Sequence, residues 1–246
     1  MTNRRFAALL LGLLPLAAMA SGGGDLQSSG ASVKNKASLQ RGAATYMSYC
    51  AGCHAIGYQR FSRMAADLDL TDEQVQTYLN PAGQKVGEQM HIAMDPADAQ
   101  AWFGKTPPDL SLIARSKPGG PDWAYTFLKS FYVDESRPSG WNNTLLPNAS
   151  MPNVLWELQG IQRPVYEGGG EHGASHGPSR LELASPGRLS PAEYDETVRD
   201  LVSFLTYVGE PAAMQRTSVG VWVILFLAAF TFLAWLLKHE YWRDVH

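Results

Sequence analysis

Cys50-Ala51-Gly52-Cys53-His54 is the stretch of sequence that decides the fold. Its pattern, C-x-x-C-H, is the attachment sequence of c-type haem. Two thiols on one turn of chain can each bond to a vinyl group of the porphyrin, and the adjacent histidine offers its imidazole to the iron. We therefore predict one covalently bound haem c, attached through Cys50 and Cys53, with His54 as an axial ligand of the iron.

Three other uses of this motif stay open on the residues alone. A redox-active C-x-x-C normally lies near a βαβ unit, and no alternation of strands and helices is visible here. A zinc site would need further cysteines or suitably spaced histidines, and Cys50 and Cys53 are the only two cysteines of the chain. A simple structural disulfide is the third use. The histidine that follows the second cysteine, and the export signal described below, favour haem over all three.

Composition excludes several classes of protein. The chain has 246 residues, of which 45% are hydrophobic, enough for one domain of ordinary size with attachments. Its 20 basic and 23 acidic residues give a net charge of −3. Proteins that bind nucleic acid concentrate positive charge, so we expect no nucleic-acid partner. With two cysteines, a framework of several disulfides is impossible.

The N-terminal residues 1–20 predict a secretory signal peptide. Arg4 and Arg5 precede an apolar run from Phe6 to Leu16, and Ala18-Met19-Ala20 fits a cleavage site. An N-terminal membrane anchor is the alternative, but the run is short for a span. Removal of this segment takes away two positive charges, so the mature net charge would be −3 − 2 = −5.

A second apolar segment, Val219 to Leu237, contains no charged residue. As a helix it would be about 28 Å long, close to the hydrocarbon thickness of a bilayer, so we predict a single transmembrane helix. A buried core helix is the alternative, but such helices are rarely apolar on every face. The signal peptide sets the expected orientation, with the bulk of the chain in the periplasm and the tail Lys238–His246 in the cytoplasm.

The predicted organisation has four parts. These are a signal peptide (1–20), a flexible leader (21–37), a periplasmic haem domain (38–215) and a membrane anchor with a short cytoplasmic tail (216–246). Within the haem domain, residues 163–190 are rich in glycine and are interpreted as a surface insertion. His172 and His176 lie in this insertion, where flanking glycines favour a solvated loop over a metal site.

The fold class predicted for the haem domain is mainly α, with long irregular loops that wrap the haem. Helical patterns begin at Ser38 and end at Gly52, and a capping box marks a second helix from Thr71 to Asn80-Pro81. Three more are expected over 95–104, 122–132 and 190–209. Residues 104–121 and 134–153 carry many prolines and little periodicity, and loops of this length are usually functional.

A second axial ligand is needed if the iron is to carry electrons without binding outside molecules. Met151 is our first choice, because Asn148-Ala149-Ser150-Met151-Pro152-Asn153 places it in a proline-pinned loop. His91 is the second choice. Ligation by methionine and histidine raises the reduction potential. The remaining candidates are helical, lie on the wrong face or adjoin the membrane segment: Met47, Met64, Met90, Met94 and Met214.

Several motifs together resemble the cytochrome c1 family, the haem subunit of the quinol–cytochrome c reductase (cytochrome bc1 complex), in a bacterial version. They are Arg41-Gly42, Tyr49-Cys50-x-x-Cys53-His54 with Tyr58, Pro107-Pro108-Asp109-Leu110-Ser111 with Arg115 and Gly119-Gly120, the Met151-Pro152 loop, and one C-terminal span. The resemblance implies His54 and Met151 as axial ligands, with Pro107 and Pro108 packed on the histidine side. It also implies a cationic group, Arg115 or Lys117, facing a haem propionate.

The same resemblance implies a function. The chain would take electrons from the Rieske iron–sulfur protein, beside cytochrome b in the bacterial inner membrane, and pass them to a soluble cytochrome c. It would itself make and break no substrate bonds. The acidic mature charge would favour a basic carrier. Two alternatives remain: an anchored haem subunit of a terminal oxidase or nitric-oxide-reducing complex, and a haem sensor or peroxidase with an open sixth position.

Overall fold

The computed structural model describes residues 26–92, 94–166 and 177–244. The expected signal peptide, His172 and His176 lie outside the described residues. The helices are α1 Lys36–Tyr49, α2 Phe61–Asp67, α3 Asp72–Tyr78, α4 Pro96–Phe103, α5 Ile113–Ser116, α6 Gly120–Lys129, α7 Trp156–Gln159, α8 Pro191–Gly209 and α9 Ala213–Tyr241. The strands form three antiparallel pairs: β1 Ile56–Arg60 with β2 Gln89–Met90, β3 Phe131–Val133 with β4 Trp141–Asn143, and β5 Gly160–Val165 with β6 Arg180–Pro186.

Helices α1 and α8 form the centre of the core. Their backbones approach so closely at Gly42 that a Cβ there would lie 2.1 Å from the carbonyl oxygen of Asp200. Glycine is therefore required at this crossing. The Asp200 carboxylate is buried in the same place, where it accepts hydrogen bonds from Ser38 Oγ and from Arg41 Nε. A buried carboxylate is tolerated because it is paired and hydrogen-bonded.

The residues before α1 are packed, which corrects part of the flexible leader expected over 21–37. Ser29 donates from its backbone N and from Oγ to Asp122 Oδ1, both over 2.7 Å, and its carbonyl accepts from Arg199 Nε. Ser32 N donates to Ser203 Oγ on α8. The small polar residues that suggested flexibility thus tie residues 26–35 to α6 and α8.

The predicted helices are present with shifted ends. The helix expected over 38–52 runs from Lys36 to Tyr49, and the one expected over 122–132 is α6, which ends at Lys129 because the following residues pair as β3 with β4. Helix α8 begins after Ser190, whose side chain and that of Glu193 form the predicted capping box. The glycine-rich segment 163–190 contains most of the β5–β6 hairpin, which the sequence did not indicate.

Helix α9 contains the predicted apolar span. It has 29 residues, none of which is buried, and by length and composition it could cross a membrane. The predicted fold class, mainly α with long irregular loops and one C-terminal apolar helix, is confirmed.

Candidate haem site

The C-x-x-C-H motif forms a tight turn at the end of α1. The backbone N–H groups of Cys53 and His54 both donate to the carbonyl oxygen of Cys50, over 3.0 and 2.9 Å. This turn brings both sulfurs and the imidazole to the wall of one cleft.

The cleft consists of two adjoining cavities, of about 590 and 880 Å³. Six residues line both cavities: Cys50, His54, Lys105, Pro108, Ser150 and Met151. The first cavity, which we call the outer part, is also lined by Tyr49, Cys53, Phe103, Pro107, Pro152 and Val154. The second, the inner part, also reaches Trp123, Phe127, Leu201 and Leu205. A large, mostly apolar cleft with a few polar groups suits a flat, apolar cofactor.

His54 is held in the orientation that a metal ligand needs. Its Nδ1 lies 2.7 Å from the carbonyl oxygen of Pro108, so Nδ1–H donates and the lone pair of Nε2 stays available. The hydroxyl of Tyr46 donates to the backbone carbonyl of His54. Burial lowers the pKa of His54 and favours the neutral imidazole, the form that binds metals. These residues fit an iron porphyrin.

Cys50 does not have the lowered pKa of a redox-active thiol, and no further zinc ligands accompany the two cysteines in the described part of the chain. Both thiols are free. Burial, with a smaller contribution from Cys53, raises the pKa of Cys50 to about 12, and a protonated thiol is a poor nucleophile for disulfide exchange. Within the described residues no group of three His, Cys, Asp or Glu side chains could hold a metal ion, so the zinc alternative lacks ligands.

Met151 lines both parts of the cleft, as His54 does. Its loop is held by buried asparagine side chains on either side. Asn143 Oδ1 accepts from the backbone N of Leu145 and of Leu146 over 2.9 and 3.0 Å. After the methionine, Asn153 Oδ1 accepts from the backbone N of Leu155 over 3.0 Å. The loop expected from its proline and asparagines is thus fixed by side-chain amides.

The other proposed iron ligands lie elsewhere. His91 lines a separate cavity of about 310 Å³ with Met47 and Met90, on a different side of His54. Met64 is completely buried in the core. Among the described residues, Met151 is the one methionine or histidine besides His54 that lines the cleft.

The cations near the cleft differ from the sequence-based expectation. Arg115 does not line the cleft; its side chain lies against Gly209 of α8, with Nη1 3.5 Å from that carbonyl oxygen. Lys117 lines the inner part, and its Nζ lies 4.6 Å from the centre of the Trp123 ring. Lys105 lines both parts and was missed, although it stands two residues before the Pro107-Pro108 pair that also lines the cleft.

Comparisons with known proteins point the same way. The family model described as Cytochrome C1 family matches residues 29–165 and 188–245. A cytochrome c1 of Allochromatium vinosum is 47% identical over 240 residues, which cover 97% of this chain and 98% of that protein. The ammonia monooxygenase gamma subunit of Nitrosomonas europaea is 43% identical over 86% of this chain and 85% of its own length. A cytochrome c1 of Rhodospirillum rubrum is 29% identical over 84% of this chain and 81% of its own.

The family match omits 166–187. This stretch falls within the glycine-rich segment interpreted as an insertion and includes all of β6.

Proposed function

Since the chain belongs to the cytochrome c1 family, the haem-containing electron-transfer subunits of cytochrome bc1 complexes, we propose that it carries one covalent haem c and relays electrons from the Rieske iron–sulfur protein to a soluble cytochrome c. One observation carries this proposal. Both thiols of the C-x-x-C-H motif, an imidazole with its Nε2 free and the Met151 thioether all line one apolar cleft.

Each lining residue has a proposed role. Cys50 and Cys53 would form the thioether bonds to the haem, and His54 Nε2 and Met151 Sδ would bind its iron. When bound, an iron porphyrin with these ligands supplies a one-electron carrier of raised potential. Pro107 and Pro108 pack on the histidine side of the cleft and help to exclude water from it.

Lys117 is the proposed partner of a haem propionate, in place of Arg115. Two facts support this choice: Lys117 lines the inner part of the cleft, whereas the side chain of Arg115 lies against Gly209. Lys105 is a second cation along the same cleft. An ammonium group beside a carboxylate in a partly apolar site would stabilise the ionised propionate.

The proposed topology follows from the two apolar ends. Residues 1–20 are a signal peptide, residues 38–215 are a periplasmic haem domain, and residues 216–246 anchor the chain in the bacterial inner membrane with the C-terminus in the cytoplasm. The 29-residue apolar helix α9 supports the anchor, and cytochrome b is the subunit beside which we expect it to lie.

The name of the Nitrosomonas europaea relative offers a second candidate function. On that reading, the chain would be a subunit of an ammonia-oxidising enzyme. A shared haem cleft would serve both complexes, so the cleft does not separate the two candidates. The proteins that co-purify with the chain would distinguish the two candidate functions.

Purification of the tagged full-length chain from solubilised membranes tests the proposal. We expect cytochrome b and a Rieske protein to co-purify, with a haem that stays bound under denaturing conditions and does not bind carbon monoxide when reduced. Co-purification with ammonia monooxygenase subunits would favour the second candidate. Co-purification with an oxidase or a nitric-oxide reductase, or binding of carbon monoxide by the native protein, would contradict the proposal.

A further inference from the structure

Two segments that flank the imidazole of His54 are joined by direct hydrogen bonds. The first, residues 55–58, follows the C-x-x-C-H turn, and the second, residues 108–111, contains the carbonyl that holds His54. Leu110 N donates to Ala55 O over 2.8 Å. Tyr58 N donates to Ser111 Oγ over 3.1 Å. These bonds make one unit of two segments that are about 50 residues apart in sequence.

The side chain of Asp109 accepts hydrogen bonds from both segments. Its Oδ2 accepts from Gly57 N over 2.9 Å, and its Oδ1 accepts from Ser111 N over 2.6 Å. Glycine at position 57 permits this approach, because a Cβ there would lie 3.1 Å from Oδ2. Burial acts to raise the pKa of Asp109, but the hydrogen bonds from Ser111 and Gly57 hold it below its usual value, so the group is a carboxylate.

The position of Asp109 determines where the carbonyl of Pro108 points. That carbonyl lies in the same planar peptide unit as the backbone N and Cα of Asp109. It is also the acceptor, over 2.7 Å, for His54 Nδ1–H. A change in the hydrogen bonds of Asp109 therefore rotates or displaces the group that orients the imidazole.

We propose that Asp109 is a positioning residue for His54. It holds the Pro108 carbonyl against His54 Nδ1 and thereby lowers the reduction potential of the site. This inference rests on the proposed function, in which His54 is an iron ligand. A hydrogen bond from Nδ1–H to a carbonyl raises the basicity of the imidazole, and a more basic ligand favours ferric iron. Loss of the Asp109 hydrogen bonds weakens that bond and raises the potential.

The variant Asp109→Asn tests the proposal in the full-length chain in membranes. Asparagine keeps the shape, but its amide has a single oxygen and turns an NH2 group toward one of the two backbone N–H donors. We expect covalent haem to be retained and the midpoint potential to rise. Mutation of outer-shell partners typically costs about 10–100-fold in metal affinity or activity. A tenfold change in the ferrous-to-ferric ratio would correspond to a shift of about 59 mV for one electron.

Glu193→Gln is the matched control. Like Asp109, Glu193 accepts from a backbone N, that of Ser190, over 2.9 Å; its Oε2 accepts in addition from the Ser190 hydroxyl over 2.7 Å. It lies at the start of α8 and does not line the cleft. The control removes the same kind of hydrogen-bonded carboxylate, so we expect no change in potential. An equal rise in both variants would show a general loss of stability and would overturn the proposal.

Gly57→Ala perturbs the hydrogen bond between Gly57 N and Asp109 Oδ2 from the other segment. It tests the proposal if Asp109→Asn does not accumulate. Its methyl group would press on Oδ2 and lengthen the bond from residue 57, so the potential should rise here too. If the haem-loaded Asp109→Asn or Gly57→Ala variant has an unchanged potential, the inference is wrong, but the proposed function is unaffected. A wild-type chain without covalent haem would instead remove the proposed function itself.

Discussion

The two sides of the cleft are held by different kinds of contact. On the histidine side, three polar groups of His54 itself are hydrogen-bonded: its backbone N to Cys50, its carbonyl to Tyr46 and its Nδ1 to Pro108. On the methionine side, the contacts belong to the flanking chain, where the Asn143 and Asn153 amides hold the backbone of the loop. The imidazole is therefore oriented by its own bonds, whereas the thioether is placed by the loop that carries it.

This difference implies that substitutions on the histidine side and on the methionine side have different effects on the bound haem. In the proposed site the haem is attached through thioether bonds, so a change at Cys50 or Cys53 would remove its covalent attachment. The methionine side relies on hydrogen bonds that each contribute about 1 kcal/mol. Under the proposed assignment, a change there would leave the covalent attachment intact and would affect only the binding of Met151 to the iron.

The largest effect is expected from Cys50→Ser combined with Cys53→Ser. A hydroxyl group does not form the thioether, so covalent haem should be absent and the protein should accumulate poorly, since its cleft would lack the cofactor. Haem staining after denaturing electrophoresis measures the attachment. Wild-type levels of covalent haem in this double variant would show that another group binds the cofactor. That result would contradict the proposed difference between the two sides of the cleft.

Sequence alone indicated the histidine side more directly than the methionine side, for a physical reason. Attachment chemistry requires two thiols and an imidazole within five consecutive residues, so the whole site is visible in one motif. The loop of Met151 depends on buried amides whose partners lie in α6 and α7, and no local pattern reveals them. The proline that follows Met151 indicated a fixed loop but not its position on the cleft.

Which cation lines the cleft also depends on tertiary structure, and the sequence did not reveal it. Arg115 and Lys117 are two residues apart, and α5, only four residues long, decides which of them reaches the cleft. Arg115 is in the last turn of α5 and lies against α8, whereas Lys117 follows its end in extended conformation. A four-residue helix depends on tertiary contacts and leaves no periodic signal in the sequence.

Capped elements were predictable, and paired short strands were not. Thr71 with Gln74 and Ser190 with Glu193 both form the predicted capping boxes, because these contacts are local in sequence. Strands β3 and β4 have three residues each and join Phe131 to Asn143, so their pairing depends on the fold around them. The end of α6 was misplaced for that reason.

Met151→Leu should have the next largest effect. Leucine keeps the apolar volume but removes the sulfur, so covalent haem should be retained while the high potential contributed by the thioether is lost. Redox titration of the membrane-bound chain measures the midpoint potential, and binding of carbon monoxide to the reduced protein reports an open sixth position. Met64→Leu, in the core and away from the cleft, is the control that should change neither. An unchanged potential in Met151→Leu would refute the assignment of the ligand.

The smallest effect is expected from Asn143→Ala, which acts on the loop without touching the ligand. Asn143 is fully buried; its Oδ1 accepts from Leu145 N and Leu146 N, and its Nδ2 donates to Phe127 O. Leaving such buried groups without partners costs about 1–3 kcal/mol, so the midpoint of denaturant unfolding should fall. The loop that carries Met151 should also open more often, and carbon monoxide should bind slowly to the reduced protein.

Asn80→Ala separates loop opening from a general loss of stability. Asn80 is also a buried asparagine in a turn, where its Oδ1 accepts from Gln84 N over 3.1 Å, but it does not line the cleft. Both variants should unfold at lower denaturant concentration, and only Asn143→Ala should bind carbon monoxide. If both bind it equally, the methionine side is held by the stability of the whole domain, and the difference between the two sides of the cleft disappears. If neither binds it, Met151 is held without help from the Asn143 amide.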